Sequence, residues 1–263
     1  VSGSREDRST SGSAWSRAHT ALIDAWISDL LLEVDRPDGI ALVAVGGYGR
    51  SELAPMSDID LLLMHEGRPD IADIADRIWY PIWDAGLKLG HAVRTVKEAL
   101  SLASDDLETA TALLSARHVA GNPAITEELA TKSSALWQKR SQRFLAELSG
   151  AVQARHAQAG EVAFLLEPDL KEGRGGLRDA HAIGWAEAAR PMLADGDPEV
   201  LAAAYDRILS ARVELHRATG RVGDRLNLQD QDAIAEALGL PGGDANALLR
   251  LVSSAARDIA WIS

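Results

Sequence analysis

Two aspartates two residues apart, Asp58 and Asp60, stand in the run MSDIDLLLM, downstream of the glycine pair Gly46-Gly47. On an extended chain, successive side chains point to opposite faces. Asp58 and Asp60 therefore share one face, about 6.6 Å apart at Cα, and Ile59, Leu61 and Leu63 take the other. Two carboxylates so placed suit a hard cation, because Mg²⁺ takes oxygen ligands and is commonly held by one or two carboxylates together with nucleotide phosphates. The glycine pair lets the backbone turn tightly and approach a ligand, since neither residue carries a Cβ. Gly47 and Ser51 would offer N–H or hydroxyl groups to phosphate oxygens, and Arg50 could add charge-assisted hydrogen bonds. The plainer reading, two strands with a solvated acidic edge, explains each feature singly but not their combination within residues 40–64.

A second concentration of chemistry lies in FLLEPDLKEGRGGLRDAHAI, residues 164–183. Three glycines and the cations Lys171, Arg174 and Arg178 crowd a loop that opens a helix near Leu177. Free N–H groups at a helix start, next to Arg and Lys, form an anion site. The alternative is a structural loop whose glycines permit close packing and whose charges pair with Glu167, Asp169, Glu172 and Asp179. On the residues alone both readings stand.

These groups need elements to hold them. Residues 40–45 are an unbroken apolar run and read as a strand, residues 57–64 as a second and residues 87–95 as a third. Helical spacing predicts helices over residues 13–34, with Trp15, Leu22, Trp26, Leu30 and Val34, and over residues 69–86, with Ile71, Ile74, Ile78 and Trp79. Trp79, Tyr80 and Trp83 read as core or interface side chains. Asp105 or Asp106 caps a further helix expected to run to about Ala120. Gly121-Asn122-Pro123 stops it and marks the candidate domain boundary. Beyond it no strand is evident. One or two helices are expected over residues 124–159, then helices over 177–190, 198–220, 230–239 and 244–263. Residues 1–12 are polar, without periodicity, and read as a tail. The last helix reaches Ser263 without a cap, as in a piece of a longer chain.

At 263 residues the sequence can form a sizeable core, and its 46% hydrophobic and 25% charged residues are those of an ordinary soluble globular protein. A net charge of -12 argues against broad nucleic-acid binding, which relies on Lys and Arg. There is no cysteine, hence no disulfide or Cys-based zinc site. No apolar run reaches membrane-spanning length and no signal segment is evident, so a soluble cytoplasmic protein is expected.

The run GGYGRSELAPMSDIDLLLM resembles the nucleotidyltransferase motif of the DNA polymerase β superfamily, and in its details that of the bacterial PII uridylyltransferase family. KEGRGGLRD, GHAVRT, NLQDQDAIAEALG and ETATALLSARHVAG, with Thr109, Thr111 and Arg117, resemble further segments of that family, so the likeness covers roughly residues 15–263. It implies an α/β (α+β) polymerase β-like nucleotidyltransferase domain with a small mixed sheet over residues 13–122, followed by an all-α helical domain over residues 123–263. It also implies a Mg²⁺-dependent transfer of UMP or AMP from UTP or ATP to a tyrosine of the PII protein, with release of pyrophosphate. Asp58 and Asp60 would be catalytic metal ligands. Gly46, Gly47, Arg50 and Ser51 would cradle the triphosphate, and Lys171, Arg174 and Arg178 would clamp it.

Polymerase β-like enzymes usually carry a third carboxylate on the third strand. Residues 87–95 contain no acid; His91 is the polar residue nearest that place. The proton acceptor stays open, with Asp84, Asp105, Asp106 and Glu108 the nearest acids in sequence. Full-length family members remove the modification through an HD-type domain and sense glutamine through ACT domains. None of the seven histidines here is followed by Asp, so no removing activity is expected of this chain. A catalytically inactive nucleotide-binding or PII-docking module, and an adenylyltransferase acting on another protein, are the alternatives.

Overall fold

The computed structural model describes residues 10–34 and 37–263, so residues 1–9 of the expected tail lie outside the described residues. Helix α1 (Gly12–Leu32) leads into strand β1 (Ile40–Ala44), the one-turn helix α2 (Gly46–Gly49) and strand β2 (Ile59–His65). Helix α3 (Ile71–Asp84), strand β3 (Leu89–Arg94), helices α4 (Val96–Asp105) and α5 (Leu107–Leu113) and strand β4 (Arg117–Gly121) follow. The sheet order is β3-β2-β1-β4, with β2 and β3 parallel and both other pairs antiparallel. This is the expected small mixed sheet.

Strand β1 is buried along its whole length, which is why its sequence is apolar without alternation. Its side chains divide between two cores. Leu42 joins Ile59, Leu61 and Leu63 beneath α1 and α3, with Ile27, Leu30, Ile74 and Ile78. Ala41 and Val43 face α4, α5 and the next helix, α6 (Pro123–Lys139), beside Ala99, Leu113, Leu129 and Trp137. Trp79 belongs to the first core, whereas Tyr80 and Trp83 stand on the surface at 56% and 41% exposure.

The helix expected from residue 105 to about 120 is corrected by the structure. Asp106 does cap α5, accepting from the Thr109 N–H at 2.7 Å, but the helix ends at Leu113. Residues 117–121 instead pair with β1 and form an edge of the sheet. Non-local pairing has overridden the local helical pattern. Gly121 is required there: it has φ +87°, and a Cβ would lie 2.4 Å from the Ile40 carbonyl oxygen.

Beyond α6 the described residues form helices joined by loops: α7 (Ser141–Ala159), α8 (Leu177–Ala189), α9 (Asp197–Thr219), α10 (Gln231–Ala237) and α11 (Ala245–Ile262). A third core, with Leu170, Ile183, Ile208, Leu215, Ile234 and Val252, unites α8 to α11. Helix α1 joins the two parts. Its start docks on α9, where the Gly12 N–H donates to Glu214 Oε1 at 2.8 Å, and its later turns line the first core of the sheet.

Candidate active site

Between the sheet and α8/α9 opens a cleft of about 680 Å³. Asp58 and Asp60 line it at the mouth of β2, with Gly46 and Gly47 from the start of α2 and Arg50 from just past its end. Asp58 precedes the strand proper, because Ser57 is held in a turn by Ala54, and pairing with β3 begins at Ile59. Burial, then repulsion from Asp58, pushes the Asp60 carboxyl up to about 6, although Lys171 and Arg50 act in the opposite direction. Glu108 adds to the upward shift and also lines the cleft. Small residues leave space around Asp60: a Cβ on Gly90 would meet Oδ1 at 2.4 Å, and one on Gly46 would meet Oδ2 at 3.0 Å.

Gly46 adopts φ +58°, a conformation that favours glycine, while a Cβ at Gly47 would meet nothing closer than Arg50 Nη2 at 3.9 Å. The turn is fixed from behind. Arg117 donates to the carbonyls of Tyr48 and Gly49, each at 3.1 Å, and pairs with Asp24, which also accepts from the Tyr48 hydroxyl at 2.7 Å. Ser51 is not brought to the cleft. It lies two residues past α2 with φ 60°, and its N–H donates to the Tyr48 carbonyl.

The glycine-rich loop divides by residue. Lys171 and Arg178 line the cleft, Arg178 pairing with Glu172 at 3.3 Å as the structural alternative expects; Arg174 does not line it and pairs with Glu161 at 3.4 Å. The glycines are packing devices, since a Cβ would stand 2.7 Å from the Asp169 carbonyl at Gly173, 2.4 Å from that of Ala256 at Gly175 and 2.8 Å from that of Leu170 at Gly176. Asp179 is fully buried and holds Arg155, His156 (2.8 Å) and the Gly175 N–H (2.7 Å). Its partners come chiefly from α7 rather than from the loop cations.

Among the acids near the third strand in sequence, Asp106 and Glu108 reach the cleft; Asp105 turns to Arg140 and Arg143. His91 lines the cleft beside Trp79 and Trp83, at ring distances of 5.3 and 5.4 Å. Several cleft residues carried no signal in the sequence: Glu52, His181 and Tyr205 in one group, and Arg212, His216 and Asp224 in another. Each group is assembled across turns or elements, and no local pattern announces it.

Residues 27–113 match the family model described as "Nucleotidyltransferase domain". The chain carries a nucleotidyltransferase domain. Residues 143–262, which include the glycine-rich loop, match the model described as "GlnD PII-uridylyltransferase". The chain is homologous to proteins named bifunctional uridylyltransferase/uridylyl-removing enzyme. It is 49% identical to that of Streptomyces coelicolor over 95% of this chain and 30% of the relative, and 41% identical to that of Mycobacterium tuberculosis over 91% and 31%. The Thiobacillus denitrificans protein of that name is 38% identical over 84% of this chain and 28% of its own length. The chain thus spans about a third of the length of the curated relatives it matches. No helix among the described residues is long and apolar enough to cross a membrane.

Proposed function

We propose that the chain is a nucleotidylyltransferase that moves UMP, or AMP, from UTP or ATP to a tyrosine of the nitrogen-regulatory protein PII in the cytoplasm, releasing pyrophosphate. The observation that carries this reading is the convergence of Asp58, Asp60, the glycine turn, Arg50, Lys171 and Arg178 on one cleft. The residues fit Mg²⁺: two neighbouring oxygen donors, whose mutual repulsion a dication would relieve, stand beside glycines that leave room. Asp58 and Asp60 would hold it, and when bound it supplies charge neutralisation at the phosphates and makes the acceptor hydroxyl easier to deprotonate.

The chain's own groups do the remainder. Backbone N–H groups at Gly46 and Gly47 receive phosphate oxygens, and Arg50, Lys171 and Arg178 hold the triphosphate charge in place. The tyrosine oxygen forms a bond to the α-phosphorus as the bond from that phosphorus to its bridging oxygen breaks, and pyrophosphate leaves. The phenol proton needs an acceptor, and Asp106 and Glu108 are the acids outside the metal pair that face the cleft from the start of α5. The reading assigns a nucleotidyltransferase domain to residues 13–122 and a helical domain to residues 123–263, with α6 joining them. It includes no uridylyl-removing activity and no nucleic-acid partner.

The test is transfer itself. Purified PII is incubated with the chain, Mg²⁺ and α-labelled UTP or ATP, and the labelled residue is mapped. Label on a tyrosine, with stoichiometric pyrophosphate, is expected from one triphosphate; no label from either would replace the enzyme by a nucleotide-binding module.

A further inference from the structure

The cleft wall contributed by α8 has an order of its own. Leu177, His181 and Trp185 recur at four-residue spacing and all line the cleft, so they lie one above another on a single helix face. Lys171 and Arg178 stand at the start of that helix. The cleft therefore runs from a cationic end to an apolar end, with one polar ring between. A nucleoside triphosphate has the matching order of phosphates, sugar and flat base, and pockets of this kind combine apolar walls with few placed polar groups.

The polar ring is held at one nitrogen. His181 Nε2 lies 2.8 Å from the Tyr205 hydroxyl oxygen and 3.6 Å from Glu52 Oε2, and Glu52 also accepts from Arg50 Nε at 2.7 Å. Burial raises the Glu52 carboxyl, but His181 and Arg50 more than offset this and hold it below its ordinary range. Burial holds the imidazole below its ordinary value despite Glu52. At neutral pH the neighbours are thus an ionised carboxylate, which only accepts, and a neutral ring with one N–H. Placing that hydrogen on Nδ1 would turn the Nε2 lone pair toward the carboxylate. Placing it on Nε2 lets the ring donate to Tyr205 and leaves the Tyr205 hydroxyl for Glu52. The Nδ1 lone pair is then the group left over. Among the described residues Nδ1 has no hydrogen-bond partner, and it is not sealed from solvent.

Resting on the triphosphate reading above, we propose that His181 Nδ1 is a hydrogen-bond acceptor that reads an N–H donor on the nucleobase, with Leu177 and Trp185 as the apolar surface beside it. Glu52 and Tyr205 are positioning residues that fix its tautomer, and Glu52 at the same time aims Arg50.

Calorimetry of the 263-residue chain with Mg²⁺ and no acceptor protein tests this, using ATP, UTP, CTP, GTP and inorganic tripolyphosphate. The wild type is expected to rank the bases. An analogue of its tightest ligand with every N–H of the donor nitrogen replaced by methyl should lose about tenfold or more, as expected for one lost hydrogen bond in a cleft. His181→Phe should level the ranking and leave tripolyphosphate binding unchanged. Nitrogen NMR of the imidazole should report hydrogen on Nε2. Equal binding of the methylated analogue overturns the proposal even if the variant fails to fold. So does a ranking kept by folded His181→Phe, equal binding of all four triphosphates, or hydrogen found on Nδ1. Failure of tripolyphosphate and all four triphosphates to bind the wild type would instead remove the parent reading, and the base reader with it.

Discussion

In the proposed reaction Asp60 is a metal ligand, and its carboxyl is pushed up to about 6 by burial and by Asp58. Two carboxylates held together in a metal-free protein repel each other, so their charges do not stabilise the fold. Asp58→Asn or Asp60→Asn should therefore reduce transfer by about a hundredfold or more, because charge stabilisation at phosphoryl oxygens contributes several kcal/mol. The metal-free melting temperature should stay level or rise, and unchanged turnover in either variant would end the metal-site assignment. Gly47→Val makes a complementary case. A side chain there meets no protein atom closer than 3.9 Å at Cβ but enters the cleft, so a folded variant is expected to lose triphosphate binding by calorimetry. These residues were legible because they are close in sequence and because alternation on β2 sorts Asp60 from the core residues Ile59, Leu61 and Leu63, whereas Asp58 lies just before the strand. His181, Glu52 and Tyr205 were not legible, since their meaning depends on a contact between α8, α9 and the segment after α2.

At the scale of elements, the glycine-rich loop does not offer the free N–H groups expected of it, because those of Leu177 and Arg178 donate to the carbonyls of Leu170 and Lys171. Its glycines and Asp179 serve packing, while Lys171 and Arg178 face the cleft. The two roles separate by mutation. Arg178→Ala should weaken triphosphate binding or slow transfer about tenfold to a hundredfold, the range of one charge-assisted hydrogen bond, with little change in melting temperature. Asp179→Asn leaves Arg155 without its buried partner, and should cost about 3–5 kcal/mol by denaturant unfolding. A kinetic effect from Asp179→Asn without loss of stability would contradict this division. Strand β4 marks the limit of local reading in the same way. ALLSARHVAG has helical composition, and only the open edge of β1, distant in sequence, makes an extended Arg117–Gly121 the better solution.

For the whole molecule, the question is what keeps the two walls of the cleft in register. Helix α1 is one tie, docked on α9 at Gly12 and packed under the sheet beyond Ile27. Within the far wall, Asp224 gathers the basic groups: it accepts from Arg212 Nε at 2.6 Å and lies 3.0 Å from His216 Nε2 and 3.9 Å from Lys171 Nζ. Burial alone would raise its carboxyl; His216, Arg212 and Lys171 outweigh that and hold it well below the usual carboxylate range. A group whose folded pKa is depressed binds fewer protons folded than unfolded. Its stabilisation is complete above the unfolded value, about 3.9, and is lost as pH falls toward the folded one. Asp224→Asn should then destabilise the chain by about 1.5–3 kcal/mol at pH 7, the range for hydrogen bonds to charged groups. Measured by denaturant unfolding, the gap to wild type should stay constant down to about pH 5 and narrow below about pH 4, as the wild type loses what the variant already lacks. A gap that is flat into strong acid would mean that Asp224 acts by shape and hydrogen bonding alone, and that its charge does not hold Arg212 and Lys171 at the cleft.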